Sequence, residues 1–153
     1  MRTPSPQHDI KILNSLIETT LDSVDGYGEA AKDAANPGYK SLFQQRASER
    51  RQVVNDLQGQ VRVLGGEPDD DGSVLAAGHR VFLKLRDSLT KGDDSVISEV
   101  ERGEDHIKAK YQSALDDAEL SASVRDVVVR AYSSVKSGHD QMRDLKRSVE
   151  KRH

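Results

Sequence analysis

The stretch LFQQRASERRQVVNDLQ, residues 42–58, indicates both the fold class and the most unusual feature of the chain. Its apolar residues recur at the three- and four-residue spacing of one helical face, namely Phe43, Val54, Leu57 and, just beyond, Val61. Arg50 lies near the centre of that face, with Arg46 one turn earlier and Glu49 at its edge. A buried arginine without a partner is strongly unfavourable, so this helix also predicts a buried carboxylate elsewhere in the chain.

Similar periodicity on both sides of this stretch predicts further helices. The first runs from about Pro6 to Ala35, where NPG at 36–38 ends it, and the second continues to Leu64. The turn-forming residues GGEPDDDG, at 65–72, then form the predicted flexible loop inside the domain.

Three more helical segments follow that loop. A shorter one spans residues 73–90, the next begins at Asp94 as N-cap, and the last runs from Ser121 to the carboxy terminus. Tight turns make hairpins of the first and last pairs, and the short segment bridges them along the length of the bundle. We therefore predict an all-α, ferritin-like antiparallel four-helix bundle of two helical hairpins, with a fifth, shorter bridging helix.

Size and composition restrict the class of protein. With 153 residues, the chain suits one domain over 1–153, with a short flexible N-terminus at about 1–6. Its net charge is −3 and its opposite charges are interspersed, which argues against nucleic-acid binding. The absence of cysteine excludes disulfides and thiolate metal sites. No apolar run suits a signal peptide or a membrane span, so we expect a cytoplasmic protein.

A few polar residues fall inside the apolar faces of the long helices. These residues, which we call the polar layer, are Thr20, Arg46, Arg50, Glu104 and His139. Most lie near the middle of their helices, and antiparallel hairpins of matched length bring helix midpoints to one height. We expect Arg50 to pair with Glu104, and Gly103 to let the facing helix approach. Such a pair would fix the register of the helices.

Six segments resemble a known family in order and spacing: LIETTLDSVDGYGEAA, RASERR, LGGEP, GHRVFLKL, ERGEDHIKAKY and VKSGHDQMRDL. They are similar to a family of bacterial ferritin-like four-helix-bundle proteins catalogued as a domain of unknown function. The resemblance runs from about Ile10 to Leu145 and implies the fold, without an established reaction.

Ferritin-like relatives with a di-metal centre use one carboxylate from each of two helices and a Glu-x-x-His pair from each of the others. The candidate ligands here are few, namely Glu49, Glu101, Glu104 and His139. Asp105 and His106 are predicted to point away from the core, and an arginine in the same layer disfavours a bound cation. His79 is predicted to be a surface or hydrogen-bonded residue. We assign no catalytic residue and expect no cofactor.

Three functions remain open. The first is a non-enzymatic bundle, acting as a scaffold or stress-associated interaction protein and forming a homo-oligomer, with a dimer favoured. The alternative is a di-iron or di-manganese oxidoreductase or iron-binding protein with an incomplete ligand set. A third is binding of a partner or of nucleic acid through the basic segment RDLKRSVEKRH, residues 143–153.

Overall fold

Four long α-helices make up the structure, a computed structural model that describes residues 6–69 and 92–151. They are α1 (Pro6–Asp33), α2 (Pro37–Val63), α3 (Asp93–Leu115) and α4 (Ala122–Lys151). The described residues include no β-strand, so the predicted all-α class and its four long helices are confirmed. The predicted bridging helix at 73–90, with His79, lies outside the described residues.

The NPG sequence that was predicted to end the first helix begins the second, after a short turn at residues 34–36. Asn36 is the N-cap of α2, and its Oδ1 accepts the backbone N–H groups of Gly38 at 2.8 Å and Tyr39 at 3.3 Å. Pro37 occupies the first turn, where its missing N–H is not needed and its fixed φ suits the helix. These three residues therefore cap and begin α2, whereas α1 ends earlier than predicted, at Asp33.

The start of α3 differs from the prediction that Asp94 is its N-cap. The helix begins at Asp93, after Gly92, whose φ of 105° favours glycine, and no side chain caps it. The Asp93 carboxylate instead accepts the backbone N–H groups of Ala35 at 3.2 Å and Asn36 at 2.9 Å. An acidic residue at this position thus joins the second hairpin to the turn of the first.

Each helix packs mainly against two others. α1 contacts α2 and α3, and α4 contacts the same two helices, so α2 and α3 occupy diagonal corners of the bundle. His8 near the start of α1 lies 2.7 Å from Asp117 beyond α3, whereas Asp93 at the start of α3 lies at the far end of α1. Neighbouring helices are therefore antiparallel.

This arrangement places the end of α2 and the start of α3 at opposite ends of the bundle. The residues that follow α2 are held against the beginning of α1: Asn14 Nδ2 donates to the Glu67 carbonyl at 3.1 Å, and the Asp69 N–H donates to Asn14 Oδ1 at 2.9 Å. Gly66 packs so closely on Ile10 that a Cβ atom there would lie 2.7 Å from its Cδ1.

The core consists of two apolar clusters with polar residues between them. The first cluster includes Leu13, Ile17, Leu57, Ile107 and Val135. The second includes Tyr27, Phe43, Ile97, Met142 and Val149. Along each helix, the change from the first apolar cluster to the second occurs at or close to a member of the polar layer. No helix in the described ranges carries an apolar stretch of the length that a bilayer crossing requires.

Candidate functional site

An ion pair lies at the centre of the bundle, between helices on diagonal corners. Arg50 of α2 donates through Nη1 to Glu104 Oε1 at 2.7 Å and through Nη2 to Glu104 Oε2 at 2.5 Å. Arg50 is 0% exposed and Glu104 is 2% exposed. Parallel two-point hydrogen bonding of this kind is the strongest geometry for a guanidinium and a carboxylate. Both charges are thereby satisfied where water cannot reach them.

Two groups on α1 complete the surroundings of the guanidinium. Nη1 of Arg50 also donates to Ser23 Oγ at 2.8 Å, and its Cζ lies 5.6 Å from the ring centroid of Tyr27. Burial opposes the charged form of Arg50, but the Glu104 carboxylate outweighs it and raises the pKa of Arg50 above its ordinary value. Arg50 therefore stays charged in the core.

The close approach that this pair requires is provided by Gly138 of α4. A Cβ atom on Gly138 would lie 2.5 Å from Arg50 Nη2 and 3.1 Å from Glu104 Oε2. The prediction that Gly103 plays this part is wrong, since a Cβ atom there would meet nothing within 4 Å. The ion pair spans the diagonal between α2 and α3, and its side chains pass alongside α4. The residue that must lack a side chain therefore belongs to α4. Gly138 lies in the middle of the apolar face of α4, and this position is the feature of the sequence that could have identified it.

Arg46 is buried one turn before Arg50 and binds different partners. Its Nη1 lies 2.5 Å from Glu49 Oε2, and its Nε donates to Gln141 Oε1 at 2.8 Å. The Nη2 group of Arg46 donates to the same Gln141 oxygen. Glu49, a candidate metal ligand in the sequence, thus accepts a hydrogen bond from an arginine.

Thr20 contacts Tyr111, a buried residue of α3. Thr20 Oγ1 donates its single proton to the Leu16 carbonyl at 2.6 Å, so the Tyr111 hydroxyl, 2.8 Å away, donates to Thr20. Burial raises the pKa of Tyr111 to about 12. The Tyr27 hydroxyl is also buried, but it finds no hydrogen-bond partner in the described part of the chain.

His139 is 6% exposed, yet both of its ring nitrogens face carboxylates toward the bundle surface. Nε2 lies 2.6 Å from Asp105 Oδ1, and Nδ1 lies 3.1 Å from Asp140 Oδ1. Asp105 was predicted to point away from the core, and its side chain is 58% exposed. It nevertheless reaches His139, because His139 lies at the rim of α4 rather than at the bundle axis. His106 is exposed.

The four candidate metal ligands do not come together at one point. Glu104 is bound by Arg50 and Glu49 by Arg46, so neither carboxylate is available in this arrangement. The other two, Glu101 and His139, lie beside Asp105, and one ligand atom from each of these three residues falls within 4.8 Å of the others. The structure thus separates a central ion pair from a peripheral group of metal-ligating side chains.

Comparison with known families gives a match over residues 8–117 to a family described as a domain of unknown function (DUF2383). The match includes Arg50 and Glu104 and ends before α4, which carries Gly138 and His139. No curated protein matches the chain.

Proposed function

The chain belongs to the DUF2383 family, a domain of unknown function, as the resemblance of its segments had indicated, and we propose that it acts as a non-enzymatic helical bundle. Its role is that of a scaffold or stress-associated interaction protein, which works through its surface. Its polar layer is an ionic substitute for a di-metal centre. The observation that carries this proposal is the two-point ion pair of Arg50 with Glu104.

That pair removes the buried carboxylate of Glu104 from metal chemistry. A divalent cation at Glu104 would have to displace the Arg50 guanidinium from both oxygens, within a core that excludes water. It would also meet the positive charge of Arg46 one turn away, and like charges repel strongly at low dielectric. The layer therefore favours a fixed arrangement of helices over ligand exchange at its centre.

The connectivity supports a ferritin-like bundle in particular. α2 ends and α3 begins at opposite ends of the bundle, which a single long crossover between two hairpins requires. Di-metal members of this architecture hold their ligands in the bundle core. The middle of the core here holds the ion pair of Arg50 with Glu104, beside Gly138.

We also propose that the protein is bacterial and cytoplasmic, and that it forms a homodimer. The large apolar side chains exposed in the described part of the chain are Val63 at 78% and Val129 at 47%, and they are the candidate apolar contacts of such a dimer. Light scattering of the full chain coupled to size-exclusion chromatography tests the dimer, which a monomer mass at all concentrations would contradict.

The central test replaces the ion pair by apolar residues. We expect Arg50→Met/Glu104→Met to keep the helical content, association state and iron content of the natural protein after aerobic loading with ferrous iron. Arg102→Met/Glu99→Met is the matched control, because it removes the same two charges from a surface pair whose closest atoms lie 3.3 Å apart. Two irons per chain and rapid ferrous oxidation, both lost in the core variant but not in the control, would contradict the proposal.

A further inference from the structure

We propose that Glu101, Asp105 and His139 form a binding site for a first-row divalent transition metal ion at the surface between α3 and α4. This site shares His139 with the polar layer, but it lies apart from the ion pair of Arg50 with Glu104 and does not depend on the scaffold function. The three residues lie on two packed helices, and one ligand atom from each falls within 4.8 Å of the other two. They can therefore converge on one ion without any change in the backbone.

Helix geometry accounts for this convergence. Glu101 and Asp105 are four residues apart on α3, so their side chains lie on one face of that helix. His139 faces them from α4, which packs directly against α3. Ligands on helices are held more firmly than ligands on loops, because their backbone is fixed by the bundle.

The second nitrogen of His139 supports a ligand role more directly than the cluster itself. Nδ1 lies 3.1 Å from Asp140 Oδ1. If Nδ1 carries the proton and donates it to Asp140, the lone pair of Nε2 faces the two carboxylates of α3. A histidine whose far nitrogen is bound to a carboxylate is the usual arrangement behind a metal ion, since it fixes both tautomer and ring orientation.

The competing state is an imidazolium ion that donates to Asp105 and Asp140 together. In that state Nε2 holds a proton, and its 2.6 Å contact with Asp105 Oδ1 is an ion pair. The two states differ in a measurable way, namely in whether Nε2 carries a proton or a metal ion.

The ligand types define the class of ion. One imidazole nitrogen with two carboxylate oxygens suits zinc, iron, cobalt, nickel or manganese, whereas calcium and magnesium prefer oxygen alone. With metal–ligand bonds of about 2.1 Å, neighbouring ligand atoms lie about 3.4 Å apart around a tetrahedral ion. The Nε2–Oδ1 contact must therefore open from 2.6 Å, and the exposed Asp105 side chain is free to move.

One cation already lies beside the site. Lys146 Nζ is 3.4 Å from Glu101 Oε2, and the lysine side chain is 35% exposed. Binding of a metal ion would displace this ammonium group toward solvent. Metal affinity should therefore rise when Lys146 is replaced by methionine.

Zinc is the probe that tests the site. We expect calorimetric titration of chelator-treated full chain at neutral pH to give one zinc ion per chain. Asp105→Asn and Glu101→Gln should each weaken binding by at least about tenfold, since each removes a ligand oxygen. The matched controls are His106→Gln and Asp126→Asn, which alter exposed side chains outside the cluster and should leave the affinity unchanged.

Nitrogen-15 spectra of the His139 ring supply an independent measurement. With zinc we expect Nδ1 to stay protonated and Nε2 to take the shift of a metal-bound nitrogen. The proposed site would be overturned if zinc does not bind, or if Asp105→Asn and Glu101→Gln bind zinc as tightly as the natural protein does. A His139 ring that carries protons on both nitrogens with and without zinc would overturn it as well. None of these results affects the ion pair at the centre, so failure here is distinguishable from failure of the proposed function.

Discussion

Gly138 and Arg50 are so close that a Cβ atom on the glycine would lie 2.5 Å from Nη2 of the arginine. The guanidinium occupies the space that a side chain on α4 would fill, and Glu104 Oε2 borders the same space. The glycine and the ion pair therefore form one packing unit, although they belong to three helices.

Gly138→Ala should destabilise the protein even though alanine is the better helix former. The added methyl group must push apart a buried pair, and overpacking of a core costs about 1–3 kcal/mol. Gly103→Ala is the matched control, because a Cβ atom there meets nothing within 4 Å. It should raise the free energy of unfolding by about 0.5–1 kcal/mol through helix propensity alone. Urea denaturation measures both, and equal stabilisation would contradict the packing unit.

Arg50→Met should lower the free energy of unfolding by about 3–5 kcal/mol, because it leaves Glu104 buried and unpaired. Replacing both residues by methionine should be near neutral, since the second change removes the unpaired charge. A double-mutant cycle by chemical denaturation measures the coupling between them. Losses that simply add in the double variant would show that the two side chains do not act as a pair.

Two buried tyrosines allow one chemical change to be compared in two surroundings. Tyr111→Phe removes the hydroxyl that donates to Thr20 at 2.8 Å and should cost about 1 kcal/mol. Tyr27→Phe removes a buried hydroxyl that has no hydrogen-bond partner in the described part of the chain, so it should be neutral or stabilising. Thermal unfolding of the two variants separates the cases, and an equal loss in both would be inconsistent with this assignment.

Glu18 should make stability depend on pH in the acidic range. A hydrogen bond to Asp69, then burial and the charges of Asp69 and Asp22, raise the pKa of Glu18 to about 6 from an ordinary value of 4.5. The folded protein therefore keeps a proton that the unfolded chain releases, and this contribution to stability is lost as pH rises from about 4.5 to 6.

Glu18→Gln tests this dependence because its amide can donate to Asp69 at every pH. The difference in stability between variant and natural protein, from urea titrations across that range, should grow in favour of the variant as pH rises. Glu29→Gln, the same change further along α1, is the control. Parallel pH profiles for Glu18→Gln and the natural protein would contradict a proton held between Glu18 and Asp69 in the folded state.

The sequence predicts the helices well because their apolar spacing and their punctuation agree. NPG caps and begins α2, and the four long helices have nearly the predicted bounds. The positions of Arg50 and Glu104 on their apolar faces also follow from periodicity, since side-chain direction on a helix depends on spacing alone.

What the sequence could not provide is the order of the helices around the bundle axis. The choice between Gly103 and Gly138 depends on which helix lies beside the diagonal, and no periodicity contains that information. Asp105 is exposed, as the helical wheel predicted, but its contact with His139 could not be predicted. The wheel gives the direction of Asp105 from α3 and not the position of His139 on the neighbouring helix. The Asp93 carboxylate likewise binds a turn that is distant in the sequence.

That last contact bears on the kinetics of folding. Asp93 and Ala35 are 58 positions apart, yet the carboxylate binds backbone groups that become available as a pair only once the first turn has formed. Each hairpin can close locally and fast, whereas joining them brings together residues that are far apart in the sequence. We therefore expect docking of two preformed hairpins to limit the rate of folding, and the contact of Asp93 with the first turn to form late.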